Sequence, residues 1–156
     1  MSRIIFLDCD GVVCTVRSHL ALGHFNIMEH WDRTATRFLR RICKKFDVKI
    51  VISSSWRIVD PKMLMKRLKA ESLLPFLHED KYTKDFSETR GEEIKEWLDR
   101  NPNEGYVIID DNNDMLLEQQ KYFVQTDPVD GMSAKNMEKI LKILDIDLLK
   151  TKGKRK

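Results

Sequence analysis

The stretch RIIFLDCDGVV, residues 3–13, joins the pattern of a buried strand to two acidic residues and a glycine. The apolar run up to Leu7 is unbroken, which is typical of a strand covered on both faces of a parallel sheet. Asp8 and Asp10 end this run, and strand periodicity points both side chains to the same side. Gly11 then permits a sharp turn. The stretch predicts a functional edge of a buried sheet.

Further apolar runs share this form and also end on polar residues. They are VKIVIS (residues 48–53), GYVIID (residues 105–110) and the weaker YFVQT (residues 122–126). Apolar residues at helical spacing lie between these runs. The predicted helices cover residues 34–46, 61 to about 73, 92–99, 115–120, and 134–144 after an N-cap at Ser133. Alternating strands and helices predict an α/β fold, a three-layer sandwich with a mainly parallel, Rossmann-like sheet of about five strands.

Length and charge indicate one domain with a basic end. The chain has 156 residues, of which 42% are hydrophobic, enough for a single core. The net charge is +3, but residues 150–156 hold five positive charges, so the rest carries 3 − 5 = −2. We expect residues 1–149 to form the domain and residues 150–156 to form a disordered, solvated tail. A nucleic-acid-binding arm is the alternative for that tail.

The amino terminus and the cysteines indicate a cytoplasmic protein. The first apolar run is too short for a signal peptide core or a membrane span, so we expect no membrane partner. Cys9, Cys14 and Cys43 are few and odd in number, which favours reduced thiols. Cys9, Cys14, His19 and His24 also recur every five residues, so the spacing leaves a zinc site open as an alternative.

Polar residues end several predicted strands. They are Asp8, Asp10, Ser53, Ser54, Asp110 and Asp111. Because the carboxyl ends of parallel strands meet at one edge of the sheet, we expect these side chains to converge where the strand order reverses. Carboxylates in one crevice repel one another unless a cation lies among them, and oxygen ligands with phosphate suit Mg²⁺. The alternative is that these acidic residues only form turns.

Four segments in order resemble the motifs of the haloacid dehalogenase (HAD) superfamily. They are DCDGVV (residues 8–13), VISSS (residues 51–55), TRGEEIKEWL (residues 89–98) and VIIDDNND (residues 107–114). The gaps between them are too short for a large cap domain. The chain is therefore similar to capless HAD phosphatases, and among these to the phosphatase domains associated with RNA repair enzymes.

The resemblance implies the catalytic residues. Asp8 would be the nucleophile that forms an aspartyl phosphate, and Asp10 would be the general acid and base. Ser53 would bind a phosphate oxygen. Arg90 would take the place of the lysine that is usual in the third motif, and Lys84 is the alternative for that role.

The resemblance also implies a Mg²⁺ cofactor and the groups around it. The expected metal ligands are Asp8, Asp10, Asp110, Asp111 and Asp114. Which of Asp110, Asp111 and Asp114 binds the metal directly is left open. The expected substrate-binding residues are Ser54, Arg57 and Lys84. For Arg57 the alternative is an exposed arginine without a role.

The sequence therefore predicts a magnesium-dependent phosphomonoesterase whose partner is a phosphorylated substrate. An open site favours the phosphates of nucleic-acid ends or nucleotides. A phosphoprotein phosphatase with the same mechanism and a noncatalytic phosphate-binding module are the alternatives. The segment with Arg17, His19, His24, Trp31 and Arg33 would either grip the substrate or form an ordinary solvated loop.

Overall fold

The computed structural model describes residues 1–22 and 30–149, which alternate between strands and helices. The strands are β1 (Arg3–Leu7), β2 (Val48–Ile52), β3 (Leu77–Tyr82), β4 (Tyr106–Asp110) and β5 (Phe123–Gln125). The helices are α1 (Val16–Leu22), α2 (Arg33–Phe46), α3 (Trp56–Val59), α4 (Pro61–Ala70), α5 (Arg90–Arg100) and α6 (Ala134–Ile143). Short 3₁₀ turns cover Leu74–Phe76 and Leu117–Tyr122.

The strands form one sheet in the order β3-β2-β1-β4-β5, and every neighbouring pair is parallel. The chain runs outward from β1 through β2 to β3 and then crosses to β4 on the other side of β1. The strand order thus reverses between β1 and β4, which are paired from Ile4↔Tyr106 to Leu7↔Ile109. Residues that follow these two strands lie side by side, at the point where open α/β sheets bind ligands.

Both faces of the sheet are covered, which explains the unbroken apolar runs. On one face Ile5 and Leu7 pack with residues from α2, α4 and α6. On the other face Ile4 and Phe6 pack against α5, and the Phe6 ring meets the edge of Trp97 with centroids 5.2 Å apart. The predicted three-layer α/β sandwich with a parallel sheet of about five strands is confirmed.

Side chains cap the starts of α6 and α4, and one of them, Ser133, is the N-cap that the sequence predicts. Ser133 Oγ accepts the Asn136 N–H at 3.1 Å before α6, and Asp60 Oδ1 accepts the Met63 N–H at 3.1 Å before α4. Other details differ from expectation. The predicted helix at residues 115–120 is instead a six-residue 3₁₀ turn, Leu117–Tyr122, and neither α1 nor the polar edge strand β3 was predicted.

The described part of the chain holds no large cap domain. Between β2 and α5 the chain forms α4, which covers the sheet, and β3, which extends it. None of the helices in residues 1–22 and 30–149 is long and apolar enough to cross a bilayer. The predicted basic tail, residues 150–156, lies outside the described residues.

Candidate active site

The residues that follow β1 and β4 form an acidic cluster. Asp8, Asp110 and Asp111 each offer a carboxylate oxygen, and these oxygens lie within 4.8 Å of one another. The first two residues are buried, with 7% and 2% of their surface exposed, and Asp111 is half-buried. The parallel pairing holds them together, since the Asp8 N–H donates to the Ile109 carbonyl at 3.1 Å. The convergence expected of these residues is present.

The turn after Asp10 is shaped to the acidic cluster. Gly11 has a φ of +74°, and a Cβ at this position would overlap with the Asp111 carboxylate. Only glycine supplies both this conformation and this space. The Thr126 hydroxyl, just beyond β5, donates to the Gly11 carbonyl at 2.7 Å. The turn is therefore fitted to residues that follow β4 and β5.

Arg90 bridges two of the carboxylates. Its Nη1 lies 3.1 Å from Asp8 Oδ1 and 3.3 Å from Asp110 Oδ2. Arg90 is the first residue of α5, and Asp114 caps this helix by accepting the Arg90 N–H at 3.0 Å. Thr89, at the N-cap position, makes no side-chain capping bond. The Asp114 carboxylate thus orients Arg90 and lies outside the acidic cluster.

Burial and mutual repulsion perturb the cluster. Burial, reinforced by the charge of Asp8, raises the pKa of Asp110 to about 8 although Arg90 opposes the shift. Burial also raises the pKa of Asp8 against the opposing charge of Arg90. For Arg90, burial alone would lower the pKa, but the nearby carboxylates raise it overall. One guanidinium does not neutralise this cluster, so its two buried carboxyls hold a proton more tightly than free carboxyls do.

The donor set fits Mg²⁺. All the available ligand atoms are carboxylate oxygens, and the cluster has more negative charge than Arg90 balances. Asp110 Oδ2 is buried and accepts no hydrogen bond within the described residues, in spite of its ion pair with Arg90. Magnesium binds through one or two carboxylates and keeps water or phosphate in its other positions. Asp8, Asp110 and Asp111 are the residues that could hold it.

Asp10 lies at the mouth of the site rather than in the acidic cluster. Its side chain is exposed, and Oδ2 accepts the Trp56 Nε1–H at 3.0 Å. Trp56 begins α3 and is buried, and its ring contacts the Trp31 ring with centroids 5.9 Å apart. Sequence reasoning did not anticipate this bond between Trp56 and Asp10. The available signal was weak: a buried indole N–H usually has an acceptor.

The serines after β2 lie in different environments. Ser53 Oγ is fully buried and has no hydrogen-bond partner among the described residues, whereas its N–H pairs with the Leu7 carbonyl at 3.1 Å. A buried hydroxyl without a partner is costly, so this group suits a ligand oxygen. Ser54 Oγ is already engaged, because it accepts the Trp56 N–H at 3.2 Å.

Arg57 is buried and faces the protein interior, which differs from both expectations. Its guanidinium donates to the carbonyls of Thr83, Ser53 and Ser54 at 2.9, 2.9 and 2.7 Å. It also pairs with Glu93 at 2.9 Å, and the two side chains are 4% and 6% exposed. The structure therefore does not direct Arg57 toward a substrate. It joins the ends of β2 and β3 to α5.

Lys84, the alternative basic residue, points away from the acidic cluster. Its side chain is 60% exposed, and Nζ pairs with Glu96 Oε1 at 3.0 Å, well along α5. Arg90 is the basic residue that contacts Asp8.

The zinc alternative gains no support from the described residues. Cys9 and Cys14 are buried, and burial raises the pKa of the Cys14 thiol to about 12. These cysteines and His19 do not form a metal-binding group within residues 1–22 and 30–149, and His24 lies outside them.

The fold and the site define a class. A parallel sheet with an acidic cluster at the reversal of strand order, bridged by the guanidinium of Arg90, defines a Rossmann-like α/β protein with a charged site at its ligand-binding edge. A family model described as the HAD domain in Swiss Army Knife RNA repair proteins matches residues 4–137, and the chain belongs to this family. No curated protein and no solved structure matches the chain. The match confirms the superfamily and supports a phosphatase-type hydrolase.

Proposed function

We propose that the protein is a Mg²⁺-dependent phosphomonoesterase that works through an aspartyl phosphate on Asp8. The observation that carries this proposal is the buried cluster of Asp8, Asp110 and Asp111, bridged by Arg90, in a HAD domain. When bound by this cluster, Mg²⁺ would neutralise charge that develops on the transferring phosphoryl group.

In the first step, Asp8 attacks the phosphorus atom and the bond from phosphorus to the ester oxygen breaks. The leaving oxygen takes its proton from the Asp10 carboxyl. In the second step, the Asp10 carboxylate removes a proton from water, which attacks the phosphorus and releases inorganic phosphate and free Asp8. The Trp56 N–H, 3.0 Å from Asp10 Oδ2, supports this role because it fixes the direction of the acid.

Ser53 and Arg90 supply the remaining polar groups of the site. The buried Ser53 hydroxyl, which has no partner within the described residues, would donate to a phosphate oxygen. Arg90 favours the ionised form of Asp8 through its contact at 3.1 Å. Phosphoryl transfer depends mainly on such positioning and electrostatic stabilisation.

For the substrate, we propose the phosphates of nucleic-acid ends or nucleotides. The family description and the absence of a large cap domain in the described residues support this choice. We also propose that the protein works in the reducing cytoplasm, since Cys9, Cys14 and Cys43 form no disulfide in the described part of the chain.

Hydrolysis of an aryl phosphate tests the mechanism. Turnover should require Mg²⁺ and stop with a chelator, and Asp8→Asn should lower it by at least about 10⁴-fold. Asp10→Asn should slow an alkyl phosphate by about 10²- to 10⁴-fold and an aryl phosphate less, because the aryl leaving group needs little protonation. Asp99→Asn, at an exposed position of α5, is the control.

The results also separate the alternatives. Asp8→Asn with the turnover of the wild-type protein would remove Asp8 as the nucleophile. A wild-type protein that binds phosphorylated ligands but hydrolyses none would be a binding module. A panel of 3′- and 5′-phosphorylated oligonucleotides, free nucleotides and a phosphotyrosine peptide distinguishes the substrate classes, and a preference for the peptide would overturn the proposed substrate.

A further inference from the structure

A basic cavity lies between α2 and α4, next to the site but separate from the acidic cluster. Its volume is about 440 Å³, within the usual range for ligand sites. Its lining includes four arginines, Arg33, Arg37, Arg40 and Arg67, and a single acidic residue, Glu71. The cavity therefore concentrates positive charge on a chain whose body, without residues 150–156, has a net negative charge.

The arginines of α2 lie along one face of the helix. Arg33, Arg37 and Arg40 are separated by four and three residues, which places their side chains next to one another. Like charges at these spacings destabilise a helix. Arg33 and Arg37 are exposed and make no ion pair within residues 1–22 and 30–149. On its α2 side the cavity thus carries the positive charges of Arg33 and Arg37, which no ion pair within the described residues neutralises.

The α4 side of the cavity is held in place by Glu71. Arg67 pairs with its carboxylate at 2.9 Å, and the Thr36 hydroxyl donates to the same group at 2.8 Å. Arg40 donates to the Glu71 carbonyl at 3.2 Å. Glu71 thereby joins α2 to α4 and neutralises one charge. Arg67 Nε is nevertheless buried without an acceptor among the described residues. The α4 side of the cavity therefore still offers a hydrogen-bond donor.

Two indole rings connect this cavity to the proposed catalytic acid. Trp31 lines the cavity, and its ring lies 5.9 Å from that of Trp56. Trp56 in turn donates to Asp10 at 3.0 Å. The indole N–H of Trp31 is buried and has no acceptor within the described part of the chain. Through these two rings the cavity adjoins the side of the proposed site on which Asp10 lies.

We infer that this cavity binds an internal backbone phosphate of a nucleic-acid strand whose terminal phosphate reacts at Asp8. The inference rests on the proposed function and adds a second contact to it. Guanidinium groups match phosphate oxygens in charge and in planar, paired geometry. A strand supplies phosphates at regular intervals beyond the reacting one, whereas a mononucleotide or a singly phosphorylated peptide has none to place here. The cavity accordingly favours strands over mononucleotides.

The test compares two double variants of α2. Arg33→Gln with Arg37→Gln removes the unpaired cavity charges, and Arg41→Gln with Lys44→Gln removes equal charge from exposed positions of the same helix outside the cavity. The substrates are a single-stranded oligonucleotide of about 12 residues with a terminal phosphate, and an aryl phosphate. Both kcat/KM and binding, measured by fluorescence anisotropy in the Asp8→Asn background, are followed against salt concentration.

The cavity variant should lower oligonucleotide binding and kcat/KM by about tenfold at low salt and reduce the salt slope by about 0.7, the value for one lost phosphate contact on a single strand. Turnover of the aryl phosphate should stay within about twofold of wild type, since that substrate reaches only Asp8. The control variant should keep most of the oligonucleotide affinity.

Equal losses in both double variants would overturn the inference, because they would reveal only a diffuse electrostatic attraction. Binding of a phosphotyrosine peptide is measured in the same way, and a loss of peptide binding in the cavity variant without a loss of oligonucleotide binding would also overturn the inference, in favour of a protein substrate. If the wild-type protein hydrolyses no phosphate at all, the proposed function fails. The anisotropy measurement then still decides whether the cavity holds a strand.

Discussion

Two arginines near the start of α5, Arg57 and Arg90, are used in opposite ways. Arg57 donates four hydrogen bonds to protein acceptors, and its ion pair with Glu93 is 4% and 6% exposed. Arg90 lies between the carboxylates of Asp8 and Asp110, and its side chain is 20% exposed. The first cation is fully balanced by the fold. The second faces more negative charge than it can neutralise.

The difference distinguishes a structural ion pair from a functional one. Around Arg57 the acceptors are satisfied and water is excluded, so this hydrogen-bond network stabilises the ends of β2 and β3. Its donor atoms are all used within the protein, and none is directed at a ligand. Where an acidic cluster has excess negative charge, as around Arg90, the imbalance favours the binding of a further cation, which would in turn attract a phosphoryl group. The proposed role of Arg90 therefore rests on this incomplete neutralisation and not on burial.

Breaking the balanced network should have the largest effect on stability. Arg57→Ala leaves Glu93 as an unpaired buried charge and frees three carbonyls, so we expect the free energy of unfolding in urea to fall by about 3–5 kcal/mol. Arg57→Met with Glu93→Leu should recover part of this loss. Aryl phosphate turnover per folded molecule should remain near the wild-type value. A loss below about 1 kcal/mol would show that the network contributes little.

Removing the unbalanced cation should affect catalysis instead. Arg90→Gln is expected to lower kcat/KM for an aryl phosphate by about 10²- to 10³-fold, because Asp8 loses the charge that favours its ionised form. Lys84→Gln is the matched control, since its ammonium pairs with Glu96, and it should change the rate by less than about twofold. Equal losses in the two variants would leave Arg90 without a distinct role.

The acidic cluster should make the metal-free protein less stable at high pH. The pKa of Asp110 is raised from 3.8 to about 8, so the folded state binds a proton more tightly than the unfolded state between these values. The resulting stabilisation is complete at low pH and is lost as the pH rises through the folded pKa. With a chelator present, the free energy of unfolding should fall by on the order of 1 kcal/mol between pH 6 and pH 9.

Two controls sharpen this pH measurement. Asp110→Asn should remove most of the decline, because the titrating carboxyl is gone. Mg²⁺ should also reduce the decline, because it binds the ionised cluster and stabilises the folded state at high pH. An Asp110→Asn protein with the same pH profile as the wild-type protein would assign the titration to another group.

The fold could be predicted largely from its central strands. β1, β2 and β4 are covered on both faces and therefore appear as unbroken apolar runs. The sequence of β3, LHEDKY, has no such signal, because this strand lies at the edge of the sheet and pairs only with β2. Its formation depends on backbone pairing with a neighbour that sequence patterns do not reveal.

The candidate site could be predicted in part. Asp8, Asp110 and Asp111 were expected together because parallel strands bring their carboxyl ends to one edge. The different position of Asp10 depends on the Trp56 N–H, which approaches from another strand's end. The interior position of Arg57 depends on Glu93, far along the chain. Such partners are determined by tertiary packing and leave no local pattern in the sequence.

The contact between Gly11 and Asp111 ties the first and last motifs of the site into one unit. Any side chain at position 11 would displace the carboxylate that lies against it, so neither loop can change its shape alone. Substitutions in the two loops must therefore be inherited as compatible sets. A chimaera between relatives would need to take both loops from the same parent.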